Sequence, residues 1–309
     1  MKRLDVVGLG EVCIDWTAIV DHLPEPDEKV FSKKYERFVG GVTANFSVAF
    51  ARLGGNVGFI GGVGDDEYGK LILKTLENEG VDVSRLKMMR NGRTAVNIVV
   101  VAANGERVII QDEKLMSNVP EPHELDDDYI ASAKAFHTTA IKLSSAEAGM
   151  KIAKEHGLLI SFDLEKHVAD YGIKQLKPLL EMTDVLLPNK LGARSITGEA
   201  DLLAAAKKLL AMGPRVVVMT LGSDGCMVVT EDATLKIPAF RINAVDTTGA
   251  GDAFNAAFIY SLVVKKWDYE KAALYANAVA AIKCTRLGAQ SSPRFEEVNE
   301  FLKSRGVNL

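Results

Sequence analysis

From residue 135 onward, short apolar runs alternate with helix-length amphipathic stretches, and this alternation limits the possible folds more than any other feature. Residues 135–138, 158–162, 185–187 and 216–220 read as strands, with helices predicted over 146–156, 173–182 and 202–212. Strands separated by helices of this length imply a mostly parallel sheet with helices on both faces. Residues 4–10, LDVVGLG, read as a further buried parallel strand, and 43–53 as a helix stopped by Gly54-Gly55. Residues 226–230 and 234–237 read as an antiparallel ribbon at one edge, and the last third as helices over 250–264, 269–284 and 294–304. The fold class expected is α/β, a doubly wound sheet.

Two segments break the pattern. Residues 12–39 carry more charge, proline and β-formers, with strands predicted at 17–20 and 29–38 around Pro24-Glu25-Pro26-Asp27. Residues 94–102 and 106–111 read as a hairpin turning at Asn104-Gly105. Both segments, within 12–39 and 92–112, are expected to form a small β lid inserted in one α/β domain spanning 1–309.

The 309 residues, 48% hydrophobic and 25% charged, show no repeat, low-complexity tract or linker that would divide the chain. A net charge of −4 gives no electrostatic case for nucleic acid or an anionic membrane. Cys13, Cys226 and Cys284 are too few and scattered for a disulfide framework or a zinc site. Met1-Lys2-Arg3-Leu4-Asp5 leads into a strand without an apolar signal core, and no stretch has transmembrane length. A cytoplasmic protein is expected.

The chemistry concentrates in Asp246-Thr247-Thr248-Gly249-Ala250-Gly251-Asp252-Ala253-Phe254. A helix opening near Ala250 would turn main-chain N–H groups toward a ligand, and the helix dipole favours an anion there. The glycines let a ligand approach the backbone. Asp252 is placed to take or orient the proton of an attacking hydroxyl, so the motif points to phosphoryl transfer. Plain packing, with Asp252 as a dipole partner, is the other reading of this stretch alone.

A second motif runs from Gly40-Gly41-Val42-Thr43-Ala44-Asn45 through Ala51-Arg52-Leu53-Gly54 to Gly61-Gly62-Val63-Gly64-Asp65-Asp66-Glu67-Tyr68-Gly69. With both motifs in this order, essentially the whole chain resembles the ribokinase-like (PfkB) carbohydrate kinases. That resemblance implies the same doubly wound sheet with a β lid. It makes Asp252 the catalytic base, and Gly249, Ala250 and Gly251 the anion hole. It gives the acceptor to Asp15, Gly40, Gly41 and Asn45: a carboxylate and an amide suit vicinal hydroxyls, and the glycine pair lets a sugar lie close to the backbone. Helix capping for Asn45 and an exposed lid charge for Asp15 are the competing readings. The nucleotide falls to Asn189, Thr220, Gly222, Gly225 and Asn277, although Asn277 also reads as part of a solvated helix face. ATP and Mg²⁺ are the implied cofactors. A potassium ion is implied at Asp246, Thr248, Lys283, Arg286, Gly288 and Ser292, ordering the anion hole from behind.

Three departures from the family pattern bear on substrate and metal. Asn189-Lys190-Leu191-Gly192 keeps the Asn of an Asn-x-x-Glu motif and loses the acid, for which Glu165 is the candidate replacement. Val42 and Cys13 stand where ribokinases commonly carry Lys and Asn. Two lookalikes fail on their own terms. Residues 64–70 lack the Ser/Thr of a P-loop, since Leu71 follows Lys70, and Gly8-Leu9-Gly10 lacks the third glycine of a dinucleotide fingerprint. The expected function is an ATP-dependent kinase acting on a primary hydroxyl of a small sugar. A nucleoside kinase is the alternative, with Trp16 and Phe38 near a base, and a non-catalytic sugar-binding regulator is a third reading. Exposed lid strands suggest a homodimer through the lid.

Overall fold

The structure, a computed structural model, describes residues 3–103 and 106–309. Among these, nine strands form one sheet in the order β13-β12-β11-β10-β9-β8-β1-β4-β5. The strands are β1 (Leu4–Leu9), β4 (Val57–Gly64), β5 (Asp82–Met89), β8 (Ala133–Thr138), β9 (Leu159–Leu164), β10 (Val185–Pro188), β11 (Val216–Thr220), β12 (Cys226–Val229) and β13 (Thr234–Ile237). The pairs from β5 to β11 are parallel; β12 and β13 add antiparallel at one edge. β1 and β4 are buried along their whole lengths, as expected of strands covered on both faces.

Side chains alternate between two cores. Val216 and Val218 join Phe46, Phe50, Phe254 and Phe258 on one face, while Val217 and Met219 join Phe136, Phe162, Leu176 and Leu209 on the other. The helix Val42–Arg52 packs against the helix Ala250–Tyr260, with the Phe50 and Tyr260 rings 5.6 Å apart in an edge-to-face contact. This packing joins the two sequence motifs across the fold. The late helix is shorter than expected: beyond Tyr260 it loosens into a π-type turn, Ser261–Lys265, ended by Lys266 at φ 59°.

A second sheet holds four strands in the order β3-β2-β6-β7: β2 (Cys13–Val20), β3 (Lys34–Gly40), β6 (Val96–Ala102) and β7 (Arg107–Ile110). The expected strand over 29–38 begins only at Lys34, and Phe31 lies 93% exposed before it. β2 starts earlier than predicted, at Cys13, because its neighbours β3 and β6 supply hydrogen bonds along its full length. β6 and β7 pair antiparallel as a hairpin requires, while the turn assigned to Asn104-Gly105 lies outside the described residues.

The chain leaves β1 for β4 and β5 on one side, then returns to β8 and continues outward on the other. The sheet order therefore reverses between β1 and β8, and such a switch point opens a crevice at the carboxyl ends of the strands. Glu11 follows β1 there and Thr139 follows β8, joined by a 2.7 Å hydrogen bond from Thr139 Oγ1 to Glu11 Oε2. No helix among the described residues is long and apolar enough to cross a membrane.

Candidate active site

A cleft of 340 Å³ lies at this switch point, between the main sheet's carboxyl edge and one face of the four-stranded sheet. Alternate residues of the small sheet line it: Asp15, Thr17 and Ile19 from β2, Glu36 and Phe38 from β3, Asn97, Val99 and Val101 from β6, and Arg107 and Ile109 from β7. The period of two is the pleat of a sheet with one face turned to the cleft. Trp16 falls on the opposite face, beside Tyr35 and Arg37, so it does not flank the acceptor as its nearness in sequence suggested.

The helix Ala250–Tyr260 begins at the floor of the cleft. Gly249 caps it at φ 77°, a left-handed conformation, and a Cβ there would stand 2.5 Å from the Ala289 carbonyl oxygen. Only glycine satisfies both conditions at this corner. A Cβ on Gly251 would meet nothing within 4 Å, so the space beside this first turn remains open.

Asp252 lies one residue further on, 8% exposed. Its Oδ2 accepts a 2.7 Å hydrogen bond from Asn45 Nδ2, joining residues from the two motifs. Burial, then the nearby Glu165 and Glu11 carboxyls, push Asp252 up from its ordinary 3.8 to about 8, against the opposing bond from Asn45. An ordinary carboxylate, fully ionised at neutral pH, is thus not what the site holds. Burial likewise raises Asp163 and Glu165, each with help from carboxyl neighbours. Glu11, Glu165 and Asp252 line the cleft, and Asp163, which does not, is near enough to feel their charge.

Asn45 is not a helix cap, since its amide is committed to Asp252 and its Oδ1 is buried without a partner among the described residues. Asp15 is no exposed lid charge either. Half-buried on β2, it accepts from Asn97 Nδ2 at 3.0 Å, and β2 and β6 set Asp15 and Asn97 opposite each other. Burial raises the Asp15 carboxyl, opposed by hydrogen bonds from Cys13 and Asn97. Gly40 and Gly41 pack closely against protein neighbours. A Cβ on Gly40 would meet Asp15 Oδ2 at 2.2 Å, and one on Gly41 would meet the Glu11 carbonyl oxygen at 2.6 Å. Their small size lets Asp15 and the Glu11 backbone close in, and Gly41 lines the cleft.

The residues expected at the nucleotide gather elsewhere along the strands' carboxyl edge. Asn189, directly after β10, pairs by an isolated parallel bridge with Thr220 at the end of β11, and its side chain caps the helix Lys190–Thr197 through Gly192 N at 2.7 Å. Gly222 opens the single turn Gly222–Asp224 and Gly225 closes it. Asn277 is not on a solvated helix face. It is buried and donates to the carbonyls of Ile237 and Pro238 at 3.1 and 3.2 Å, tying down the segment after β13.

The expected potassium ligands do assemble behind the anion hole, but most of their oxygens are already engaged. Lys283, in the last turn of the helix Tyr269–Cys284 and 0% exposed, donates from Nζ to the Asp246 carbonyl at 2.7 Å and reaches the Arg286 carbonyl at 3.5 Å. Its Nζ lies 3.9 Å from Asp246 Oδ2. The Asp246 carboxylate accepts from Thr248 N at 2.8 Å and Gly288 N at 2.9 Å. Thr248 Oγ1 accepts from Arg107 at 2.8 Å, and the Gly288 carbonyl accepts from Ser291 Oγ at 2.7 Å. Ser292 Oγ alone of the side-chain oxygens expected there is buried and unpartnered among the described residues. The Lys283 ammonium has only donors and so is no ligand, and its carbonyl already accepts from Arg286 N at 3.0 Å. A second monovalent cation about 4 Å from it would meet a repulsion of about 4 kcal/mol at an effective dielectric near 20. The potassium ion does not fit.

Residues that sequence reasoning missed are Glu11, Thr43, Asn97, Arg107 and Asp163. Thr43 donates to Glu11 Oε2 at 3.2 Å and Asn255 to Asp163 Oδ2 at 2.9 Å. Arg107 is the sole cationic side chain lining the cleft among the described residues. Acidic residues at the ends of separate strands, Glu11 and Asp163, were the available signal, but nothing local showed that they converge.

Residues 3–295 match the pfkB family carbohydrate kinase. An ATP-dependent ribose-1-phosphate kinase of Halopiger xanaduensis is 34% identical over 302 residues, covering 97% of this chain and 98% of that protein. A 5-dehydro-2-deoxygluconokinase of Clostridium tetani is 28% identical, with 98% and 94% covered. The Arabidopsis thaliana ribokinase, solved with ribose and ATP, superposes with a TM-score of 0.86 at 26% identity, over 97% of this chain and 99% of that one.

Proposed function

The chain belongs to the pfkB family of carbohydrate kinases, and we propose that it transfers the γ-phosphoryl group of ATP to a primary hydroxyl of a small sugar, with Asp252 as the base. The observation carrying this reading is the Asp252 carboxyl in the first turn of the helix behind Gly249, held by Asn45 at 2.7 Å inside the lidded cleft. The acceptor lies under the lid against Asp15, Asn97 and Asn45. Its hydroxyl oxygen attacks the γ-phosphorus, the bridging bond to ADP breaks, and Asp252 takes the hydroxyl proton. The N–H groups of Gly249 and Gly251 meet the charge spread over the transferring group, joined by that of Ala250 once it leaves the Thr247 carbonyl, to which it donates at 3.2 Å. A base raised to about 8 is well matched to a proton moving near neutral pH.

Glu165 is the residue we assign to the Mg²⁺ that accompanies ATP, with Asp163 behind it. Asp163 is buried and Glu165 half-buried, and desolvation pushes both carboxyls upward, for Glu165 against the nearby His167 and Arg107. No group of three acidic, His or Cys side chains among the described residues is close enough to hold a metal by itself, so the ion would enter with the nucleotide and keep waters. Bound there, it would neutralise phosphate charge. Thr220, Gly222 and Gly225 fit the nucleotide beyond β11. Asn277 supports that wall from beneath.

A sugar suits the cleft better than a nucleoside. Phe38 is the one aromatic side chain lining it among the described residues, beside six carboxyl groups. The outer lid face carries exposed Tyr35, Ile98, Val108 and Ile110, which favours a homodimer through the lid. A cytoplasmic setting fits the need for ATP. Phosphorylation should be measured with ATP and Mg²⁺ across pentoses, hexoses, sugar acids, ribose 1-phosphate and nucleosides. ATP-dependent turnover of a sugar is expected; turnover of nucleosides alone, or of nothing, rejects the proposal.

A further inference from the structure

We infer that the Lys283 ammonium is the resident monovalent cation behind the anion hole, so that this kinase works without a bound monovalent metal ion. The inference rests on the kinase reading and deepens it, because it assigns a positioning residue to the reaction. A fully buried lysine is rare unless its charge is met by acceptors. Here Nζ is met by the carbonyls of Asp246 and Arg286 and faces the Asp246 carboxylate.

Those contacts reach the reaction centre in two steps. Asp246 accepts from Thr248 N, fixing the turn that leads into Gly249, and from Gly288 N, drawing residues 285–290 inward. Ala289 in that segment is the backbone against which Gly249 packs without a Cβ. One positive charge therefore holds both walls of the corner from which the anion-hole N–H groups project. An ammonium carries the same charge as potassium and also prefers oxygen neighbours. Being covalently attached, it is always present and cannot be exchanged with solvent ions.

The test measures turnover and thermal unfolding of the whole protein in tetramethylammonium, sodium and potassium chloride at equal ionic strength. The wild type should give the same rate in all three salts and one melting temperature. Lys283→Ala should lose about tenfold or more in rate in tetramethylammonium, as expected when support for an oxyanion site is weakened. Potassium should restore it, and should raise the melting temperature of that variant by a few degrees once it exceeds its dissociation constant about tenfold. Lys283→Met, which keeps the apolar stem, is the second variant should alanine fail to fold. Specific activation or stabilisation of the wild type by potassium overturns the inference. So does a folded Lys283→Ala or Lys283→Met protein that potassium neither stabilises nor reactivates, or one that keeps full rate without it. The melting measurement needs no turnover, so it stands apart from failure of the kinase reading.

Discussion

Replacing Asp252 by Asn should make the protein more stable and nearly inactive, by amounts that depend on pH. The carboxyl is 8% exposed and raised from 3.8 to about 8, chiefly by burial and then by Glu165 and Glu11. A group whose pKa is higher folded than unfolded favours the folded state below its unfolded value, and that stability is lost as pH rises through the folded value. The loss for Asp252 therefore runs from about pH 4 to about pH 8. At 1.36 kcal/mol per pH unit it reaches roughly 4 kcal/mol at pH 7 and levels off near 6 kcal/mol above pH 8. Asn cannot ionise, has nearly the same shape, and can accept the same bond from Asn45. Asp252→Asn and the wild type should thus unfold alike near pH 4 and diverge with pH. The variant should melt of order 10 °C higher at pH 7, since each kcal/mol shifts a chain of this size by roughly 2–3 °C. Turnover should fall by roughly 10²–10⁴, the span of a lost general base. Denaturant unfolding from pH 4 to 9, with initial rates at saturating ATP, reads both quantities. Parallel stability curves would refute the buried, raised carboxyl; retained turnover would refute the base.

The wild-type kcat/KM should rise with pH and level off above about 8, falling roughly tenfold per unit on the acid side, and a profile flat from pH 6 to 9 would exclude Asp252 as the titrating base. Gly251→Ala adds a methyl group in open space and a better helix former, so stability should stay equal or rise by up to about 1 kcal/mol. Its rate should nonetheless drop at least tenfold, because the methyl group occupies the ground a phosphate must approach; an unchanged kcat would move the phosphate elsewhere. Arg107→Ala removes an exposed lid side chain that donates to Thr248, so the melting temperature should hold within about 2 °C while kcat falls roughly tenfold or more. Equal kinetics would show that this contact plays no part in turnover.

Much of the fold was legible because its signals are local. The strands Val216–Thr220 and Thr234–Ile237 and the helices Ile173–Met182 and Tyr269–Cys284 have the predicted ends, each set by an abrupt change of periodicity or a capping residue. The Gly249 corner was legible for the same reason. Hidden features depend on register between distant segments. Asp15 meets Asn97 only because β2 pairs parallel with β6 across some eighty residues, which no alternation within either strand encodes. A lysine in the last turn of a helix reads as a partner of the helix dipole. Whether Lys283 instead turns inward depends on where residues 246 and 286 are carried. Asn277 shows the same limit, since a polar residue on a helix reads as solvated until the strand covering it is placed.

The site's two halves differ in what holds them, and this bears on how it works. Asp252, the Gly249 corner and Lys283 sit on helices packed into the main sheet, where Ala253, Phe254, Ala256 and Phe258 are buried. Asp15, Asn97 and Arg107 sit on the smaller sheet, whose outermost strand β7 is exposed along its whole length. Elements with little buried surface open at lower free energy than those in the core. The core half must be rigid, because an anion hole that reorganises during transfer loses its advantage over water. The lid half must yield, because the acceptor enters beneath it and water has to be excluded once it has entered. Arg107, donating to Thr248 beside the anion hole, is where the yielding half touches the rigid one. On the proposed mechanism, closure of the lid and completion of the cation-poor cleft are one event, and a substrate too small to hold the lid down is expected to be phosphorylated slowly even with every core residue in place.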